Sequence, residues 1–284
     1  MNTKRNKWLS IAVGIMITIM LAFACFTGTR VTAAESAEVS EGVELIDVKG
    51  DQFRGKLMII ADPSRVFCGV IPEFGETEGM VVLDIIEKYR EQSVPVLGGI
   101  NAGAFLDNGS DVSYTGLPVG IVISEGEIVY QEPQADEEPL YLVGFTGENQ
   151  LVMETAYPRE ISEMDLRDAV CVDPVTSPFL IRDGEILKDL PAESDFGGGK
   201  TPRTAIGQRE DRAVLLLVID GRQTDSLGAT CLEAAQCMQE FGAVDAVLMT
   251  GGTSSQMAYE GELLDSPYSP TGPRKCPTAW LILP

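Results

Sequence analysis

The stretches AVLLLVIDGR at residues 213–222 and DAVLMTGGTSS at residues 245–255 decide how this chain is read. Each is an apolar run of strand length that ends abruptly in polar and glycine residues, the pattern of a buried strand reaching the surface. Between them, Ala229 to Phe241 spaces Leu232, Ala235, Met238 and Phe241 along one flank and stops at Gly242, which predicts a helix. A strand, a helix and a parallel strand form a right-handed crossover, which carries both strand ends to one edge of a sheet. That edge would hold Asp220-Gly221-Arg222 and the loop Thr250 to Ser255, and open α/β sheets tend to bind ligands at such an edge.

Outward from this unit, Thr204–Gly207 and Ala213–Ile219 read as a hairpin around residues 208–212. Further hairpins are predicted at 121–130 and 178–187, and a strand pair at 140–145 and 150–154. Val94–Leu97 reads as a strand entering the glycine-rich segment 98–105, Leu57–Ile60 as a short strand, and Thr278–Leu283 as the terminal one. Val82, Ile85, Ile86 and Tyr89 recur at helical spacing, and residues 159–168 suggest a brief surface turn of helix. Residues 191–201, ending in three glycines, are either a mobile loop beside the site or a plain connector. The fold class expected is α+β, a mixed β-sheet core with a few flanking helices, in a single domain over residues 43–284.

Lys4, Arg5 and Lys7 precede an uncharged apolar stretch from Trp8 to Phe26. Residues 1–33 therefore read as a signal peptide, with Val31-Thr32-Ala33 as the cleavage site, or as a signal anchor holding the protein to a membrane through residues 8–26. Either way the domain is expected outside the cytoplasm, secreted or anchored at the cell surface. Residues 34–42, rich in Ala, Ser and Glu, read as a linker.

Formal net charge is −22, so the surface repels nucleic acid and anionic lipid, and any phosphate must be gripped locally by a few arginines. The histidine count of zero excludes a Ser-His-Asp triad, a Cys-His pair and histidine-ligated zinc. Acid-base work falls to Asp, Glu, Tyr or Lys. Beyond Cys25, the cysteines at 68, 171, 231, 237 and 276 are odd in number and show no metal-binding spacing. They read as buried thiols with at most one disulfide, and neither metal nor cofactor is called for.

Asp220 follows a run of aliphatic residues, the place of a catalytic acid or base and equally of a turn aspartate. Arg203 precedes a strand, Arg222 follows one, and Arg274 sits before the terminal strand. Their guanidinium forks match phosphate or carboxylate oxygens, although each taken singly also reads as a solvated surface group. Ser254 and Ser255 could donate to phosphate oxygens or simply cap their turn.

Several segments together resemble the phosphodiester glycosidase family: Asn101 to Phe105, Gly116 to Gly126, Pro178 to Gly184, Pro202 to Gly207, Asp220-Gly221-Arg222, Gly251-Gly252 with Ser254-Ser255, and Arg274 onward. They occur in the family's order over roughly residues 95–284. The resemblance implies hydrolysis of a sugar 1-phosphodiester on a surface or exogenous glycan, without a cofactor. It implies Asp220 as the nucleophilic or acid-base carboxylate, with Arg203, Arg222 and Arg274 on the phosphate. Asn101, Thr204, Gly221, Thr250, Gly251, Gly252, Ser254 and Ser255 would complete the substrate site.

One position departs from the pattern. Where the family reads Leu-Asp-Gly-Gly-Gly-Ser, this chain reads Met249-Thr250-Gly251-Gly252-Thr253-Ser254. Thr250 carries no charge at neutral pH, and Asp245, about 16 Å back along the strand and on its other face, cannot replace an aspartate there. Thr253 in place of glycine also disfavours a left-handed backbone. Asp220 then suffices, or Asp107 or Asp173 supplies a second charge, or the protein binds phosphorylated glycans without turning them over. A scaffold role in envelope assembly is a third class.

Overall fold

The computed structural model describes residues 31–76, 78–106, 115–133, 138–265, 269 and 272–284. Residues 1–30, which carry the expected export or anchor segment, and Asp107 lie outside them.

Three β-sheets share one core. The largest runs in the order β1 (Thr32–Ser40), β2 (Val43–Lys49), β3 (Arg54–Ile60), β14 (Val214–Ile219), β13 (Arg203–Arg209), β15 (Ala243–Met249), β11 (Phe179–Arg182) and β12 (Glu185–Ile186). The second is β7 (Glu127–Gln131), β6 (Ile121–Ser124), β10 (Leu166–Val172), β8 (Leu140–Thr146) and β9 (Leu151–Ala156). The third is β17 (Glu262–Leu263), β16 (Met257–Tyr259), β5 (Gly98–Asn101), β18 (Thr278–Ile282) and β4 (Val66–Val70).

Strand alternation sends one face of each sheet inward. Met58, Leu216, Val218 and Val247 from the first sheet meet Val143, Phe145 and Val170 from the second and Ile100, Met257 and Trp280 from the third. The Trp280 ring stands edge-on to Phe145 at 5.5 Å, and its Nε1–H points at Met249 Sδ, 3.3 Å away. The outward faces are covered by helices. α3 (Cys231–Glu240) packs Ala234, Ala235 and Met238 on Leu215, Leu217 and Ile219. α1 (Val82–Glu91) lays Ile85 and Ile86 against Ala258 and Leu281. The single turn α2 (Pro158–Ile161) puts Ile161 beside Ile121 and Leu142. Every residue of β14 is consequently buried.

That burial explains one correction. The continuous apolar runs at 214–219 and 243–249 are parallel in direction, but β13 lies between them and pairs antiparallel with both. All strand pairings among the described residues are antiparallel, so the expected β-sheet core with a few flanking helices holds, in a mostly β fold, while the mixed sheet does not. An uninterrupted apolar strand reports two covered faces, here supplied by the core and α3, and not strand direction. The expected shared edge survives, because the ends of β14 and β15 and the start of β13 lie together.

Other boundaries also move. Residues 34–42, read as a linker, lie mostly within β1, which pairs along β2 from Thr32↔Lys49 to Ser40↔Val43. The strand placed at 94–97 begins instead at Gly98, and the stretch read as helix to residue 168 turns into β10 from Leu166. The five described cysteines are free and buried.

Candidate active site

The site is assembled where three strand ends of the large sheet meet a turn at the end of β15. Gly252 N donates to Pro202 O at 2.9 Å, joining the loop after β15 to the start of β13. Gly221, just past β14, lies so close to Pro202 that a Cβ there would sit 2.6 Å from its nitrogen, which demands glycine. The segment Gly252–Ser254 is a tight 3-10 turn, with the Ser254 and Ser255 amides donating to Gly251 O and Gly252 O at 3.2 Å each. The left-handed residue of this turn is Gly252, at φ 64°, and Thr253 lies outside that region. Threonine therefore fits its position, contrary to the expectation of strain.

Asp220 is 7% exposed at the end of β14. Its Oδ2 accepts from Arg54 Nε at 3.0 Å, and its backbone is clamped by Asp220 N to Arg54 O at 2.9 Å and Ser226 Oγ to Asp220 O at 2.7 Å. Arg54 extends to Asp225 and, at 3.0 Å, to Gln223 Oε1, so one guanidinium orders the whole loop after β14. A cleft of about 340 Å³ opens here between the ends of β2 and β3, with Asp220, Arg54 and Leu264 in its wall. A larger cleft of about 430 Å³ lies against Arg182, Asp183 and Lys188 near β12, and no candidate residue lines it.

The three arginines fare differently. Arg222, itself left-handed at φ 58°, is exposed and makes no side-chain hydrogen bond or ion pair among the described residues. Its Nη2 lies 3.3 Å from where a Cβ on Gly252 would be, so the glycine of the tight turn also makes room for the guanidinium. Arg274 is half-buried with its guanidinium 5.8 Å from the Phe105 ring centre, and its amide donates to Thr253 O at 3.4 Å. Arg203 is 2% exposed and points to the α3 side. Its Nε donates to Ala229 O at 2.9 Å and its Nη2 to Gly197 O and Gly199 O at 2.7 and 2.8 Å. Burial depresses its pKa, and its bonds latch the 191–201 segment to the start of α3.

Asn101, Thr204 and Thr250 lie behind this surface. Asn101 is 1% exposed; its Oδ1 accepts from Thr204 Oγ1 at 2.8 Å and Gln256 N at 3.1 Å, while Nδ2 donates to Thr250 O at 2.6 Å. Thr250 donates its hydroxyl to Gly103 O at 2.8 Å and its amide to Ala102 O at 3.3 Å. Buried amides and hydroxyls must be partnered, and these partners are one another. Ser255 Oγ is the exception, buried without a hydrogen-bond partner among the described residues.

Two residues of the site escaped sequence reading. Gln256 is fully buried and ties three segments together: Oε1 caps α1 by accepting from Val82 N at 3.1 Å, and Nε2 donates to Ser254 O at 3.2 Å and Arg274 O at 2.6 Å. Asp265, after β17, is 8% exposed with Oδ1 accepting from Met257 N at 2.7 Å. No local pattern marks either; the one weak signal was an acid directly after the apolar pair Leu263-Leu264. Of the alternative carboxylates, Asp173 caps its own turn through Val175 N and Thr176 N at 2.8 and 3.0 Å. Asp245 stands near the opposite end of β15, paired with Gln208, where burial first of all raises its pKa.

A clamped carboxylate, an arginine over a glycine turn and a buried polar scaffold define a candidate hydrolase site on a three-sheet fold. Residues 96–283 match the family model described as phosphodiester glycosidase, and the chain belongs to that family. The catalytic domain of zebrafish N-acetylglucosamine-1-phosphodiester alpha-N-acetylglucosaminidase, auto-inhibited by pro-peptide, aligns over 90% of this chain and 88% of its own, with a TM-score of 0.63 and 19% identity. A hypothetical protein from Synechocystis aligns over 88% of this chain and 64% of its own, with a TM-score of 0.61 and 16% identity. A putative exported protein from Burkholderia pseudomallei covers 82% and 74%, with a TM-score of 0.56 and 15% identity. At such identities these likenesses speak for the fold alone. An SPbeta prophage-derived uncharacterized protein of Bacillus subtilis is 39% identical over 67 residues, 24% of this chain, and the chain spans only about 10% of that relative's length.

Proposed function

We propose that this protein hydrolyses a sugar 1-phosphodiester, with Asp220 as the carboxylate that attacks the anomeric carbon or activates water. The observation that carries the reading is the meeting of the clamped Asp220 with Arg222 and the Gly251–Ser255 turn at one sheet edge, in a member of this family. A phosphate is a good leaving group, so cleavage of its bond to the anomeric carbon needs less acid assistance than an ordinary glycoside. Arg222 and Arg274 hold the phosphate in this reading, and the charge-assisted contacts of a guanidinium suit its oxygens. Arg203 contributes by fixing the neighbouring segment, and Asn101 and Thr204 by shaping the loop that carries Thr250. The basic and apolar pattern of residues 1–33 supports a reaction outside the cytoplasm, on a surface or exogenous glycan, as part of this proposal.

The test is release of free sugar from a sugar-1-phospho-sugar. Asp220→Asn is expected to lower kcat by about 10²–10⁴-fold, the usual span for a lost acid-base group. Full activity in both Asp220→Asn and Arg222→Ala would end the reading.

A second reading, a surface protein that binds phosphorylated glycans without cleaving them, is favoured by Thr250, whose hydroxyl serves Gly103 O where the family pattern has a carboxylate. Activity that appears only in Thr250→Asp selects it.

A further inference from the structure

Toward the end of the large sheet that carries Asp220, its inward face turns from apolar to charged. Strand alternation follows Leu45 on β2 with Asp47 and Lys49, Met58 on β3 with Lys56 and Arg54, and Val218 on β14 with Asp220. These charged side chains, with Leu264, line the cleft of about 340 Å³, which falls within the roughly 300–1,000 Å³ of ligand clefts. The turn joining β2 to β3 is fixed: Gly50 N donates to Phe53 O at 2.9 Å, and a Cβ on Gly50 would sit 2.2 Å from the Phe53 ring. Phe53 is itself anchored in the core on the sheet's other face. Deepening the glycosidase reading above, on which this rests, we propose that the cleft is an anion subsite, in which Lys49 holds a second phosphate or carboxylate of the substrate. The substrate class is then a polyanionic glycan, with an acidic group on the unit next to the scissile phosphodiester.

Strand register singles out one cation. Asp47 faces Lys56 across β2 and β3, and Lys56 Nζ donates to Asp47 Oδ1 at 2.5 Å. The next pair places Lys49 opposite Arg54, two like charges whose apposition on one face is unfavourable. Arg54 is answered by Asp220, Asp225 and Gln223 Oε1, and this contact also offsets the charge of Asp220 within the cleft. Lys49 is exposed and makes no side-chain hydrogen bond or ion pair among the described residues. An anion seated between Lys49 and Arg54 replaces one repulsion with two attractions. In a chain of formal net charge −22, such local cations are what a second anionic group requires. Leu264 gives the attached sugar ring an apolar wall.

The experiment compares, with the full-length chain, a sugar-1-phospho-sugar and the same compound carrying a second phosphate or a carboxylate on its aglycone sugar. The ratio of the two kcat/KM values is expected to favour the doubly charged substrate about three- to fivefold, the scale of an exposed charge contact, with the preference carried by KM. Raising salt from about 0.02 M to about 0.5 M should bring the ratio close to one. Lys49→Gln is expected to abolish the preference and Lys49→Glu to reverse it, whereas Lys88→Gln on α1, an equal change in net charge, keeps it. A ratio unmoved by Lys49→Gln, or lowered equally by Lys88→Gln, overturns the inference. Inorganic phosphate and acetate, titrated against the amide signals of Lys49 and Arg54, need no turnover and separate the two anions. A saturable shift with at least one of them, lost in Lys49→Glu, is expected; no saturable shift with either overturns the subsite. Absence of sugar release from both substrates counts against the glycosidase reading instead, and the anion titration still decides the subsite.

Discussion

The two loops that leave the large sheet at the same edge, after β14 and after β15, are built to opposite plans. The first carries charge: Asp220, itself buried, is gripped by Arg54, and Arg222 stands exposed. The second turns its polar groups inward. Thr250 bonds to Gly103 O, and Gln256 bonds to Val82, Ser254 and Arg274. The first loop supplies charge and the second supplies shape. A site of this kind separates chemistry from support, so substitutions in the two loops should fail in different ways.

The largest effect is expected outside both loops, at Asp265, because a carboxyl held near 7 in the fold ionises near 3.8 when exposed. Between those values the folded state binds the extra proton, so its contribution to stability declines as pH rises. Asp265→Asn is therefore expected to be more stable than wild type at about pH 8, by on the order of 4 kcal/mol at about 1.4 kcal/mol per unit. The gap should shrink to about 1 kcal/mol near pH 4.5. Urea midpoints at the two pH values check this, and an equal gap at both would separate the effect from ionisation.

Gln256→Leu probes the supporting loop. It leaves Val82 N–H and two backbone carbonyls without their buried partner, a loss of about 3 kcal/mol. Chemical denaturation should show it, with loss of the α1 cap as the physical cause. An unchanged midpoint would mean that the loop does not depend on this side chain.

Gly252→Ala falls between the two plans and should be the mildest. A left-handed alanine costs about 1–2 kcal/mol, and its Cβ would press on Arg222 Nη2 at 3.3 Å. KM for the phosphodiester should rise several-fold while kcat changes little. A pure kcat effect would place Arg222 away from substrate binding.

Much of this was legible in the sequence, and the limits of that reading have physical causes. The apolar runs ending at Asp220 and Thr250, the α3 helix and the hairpins read at 121–130 and 204–219 were legible because periodicity and turn chemistry are local. β10 was missed because its inward and outward faces are both buried, and the brief α2 turn precedes it directly. Thr253 misled because the left-handed conformation belongs to its neighbour Gly252, a division that only the folded turn shows.

By itself, the sequence determined which strand ends carry polar loops, the lack of any histidine chemistry and the family to which the site belongs. Tertiary structure alone decided that β13 separates β14 from β15, that Arg203 and Asn101 spend their donors on backbone carbonyls, and that Asp265 is buried against the Met257 amide. The reason is that strand partners and the burial of a side chain depend on contacts distant in sequence. A residue's type and spacing state what chemistry it can do, and packing assigns the neighbours that decide whether it does so.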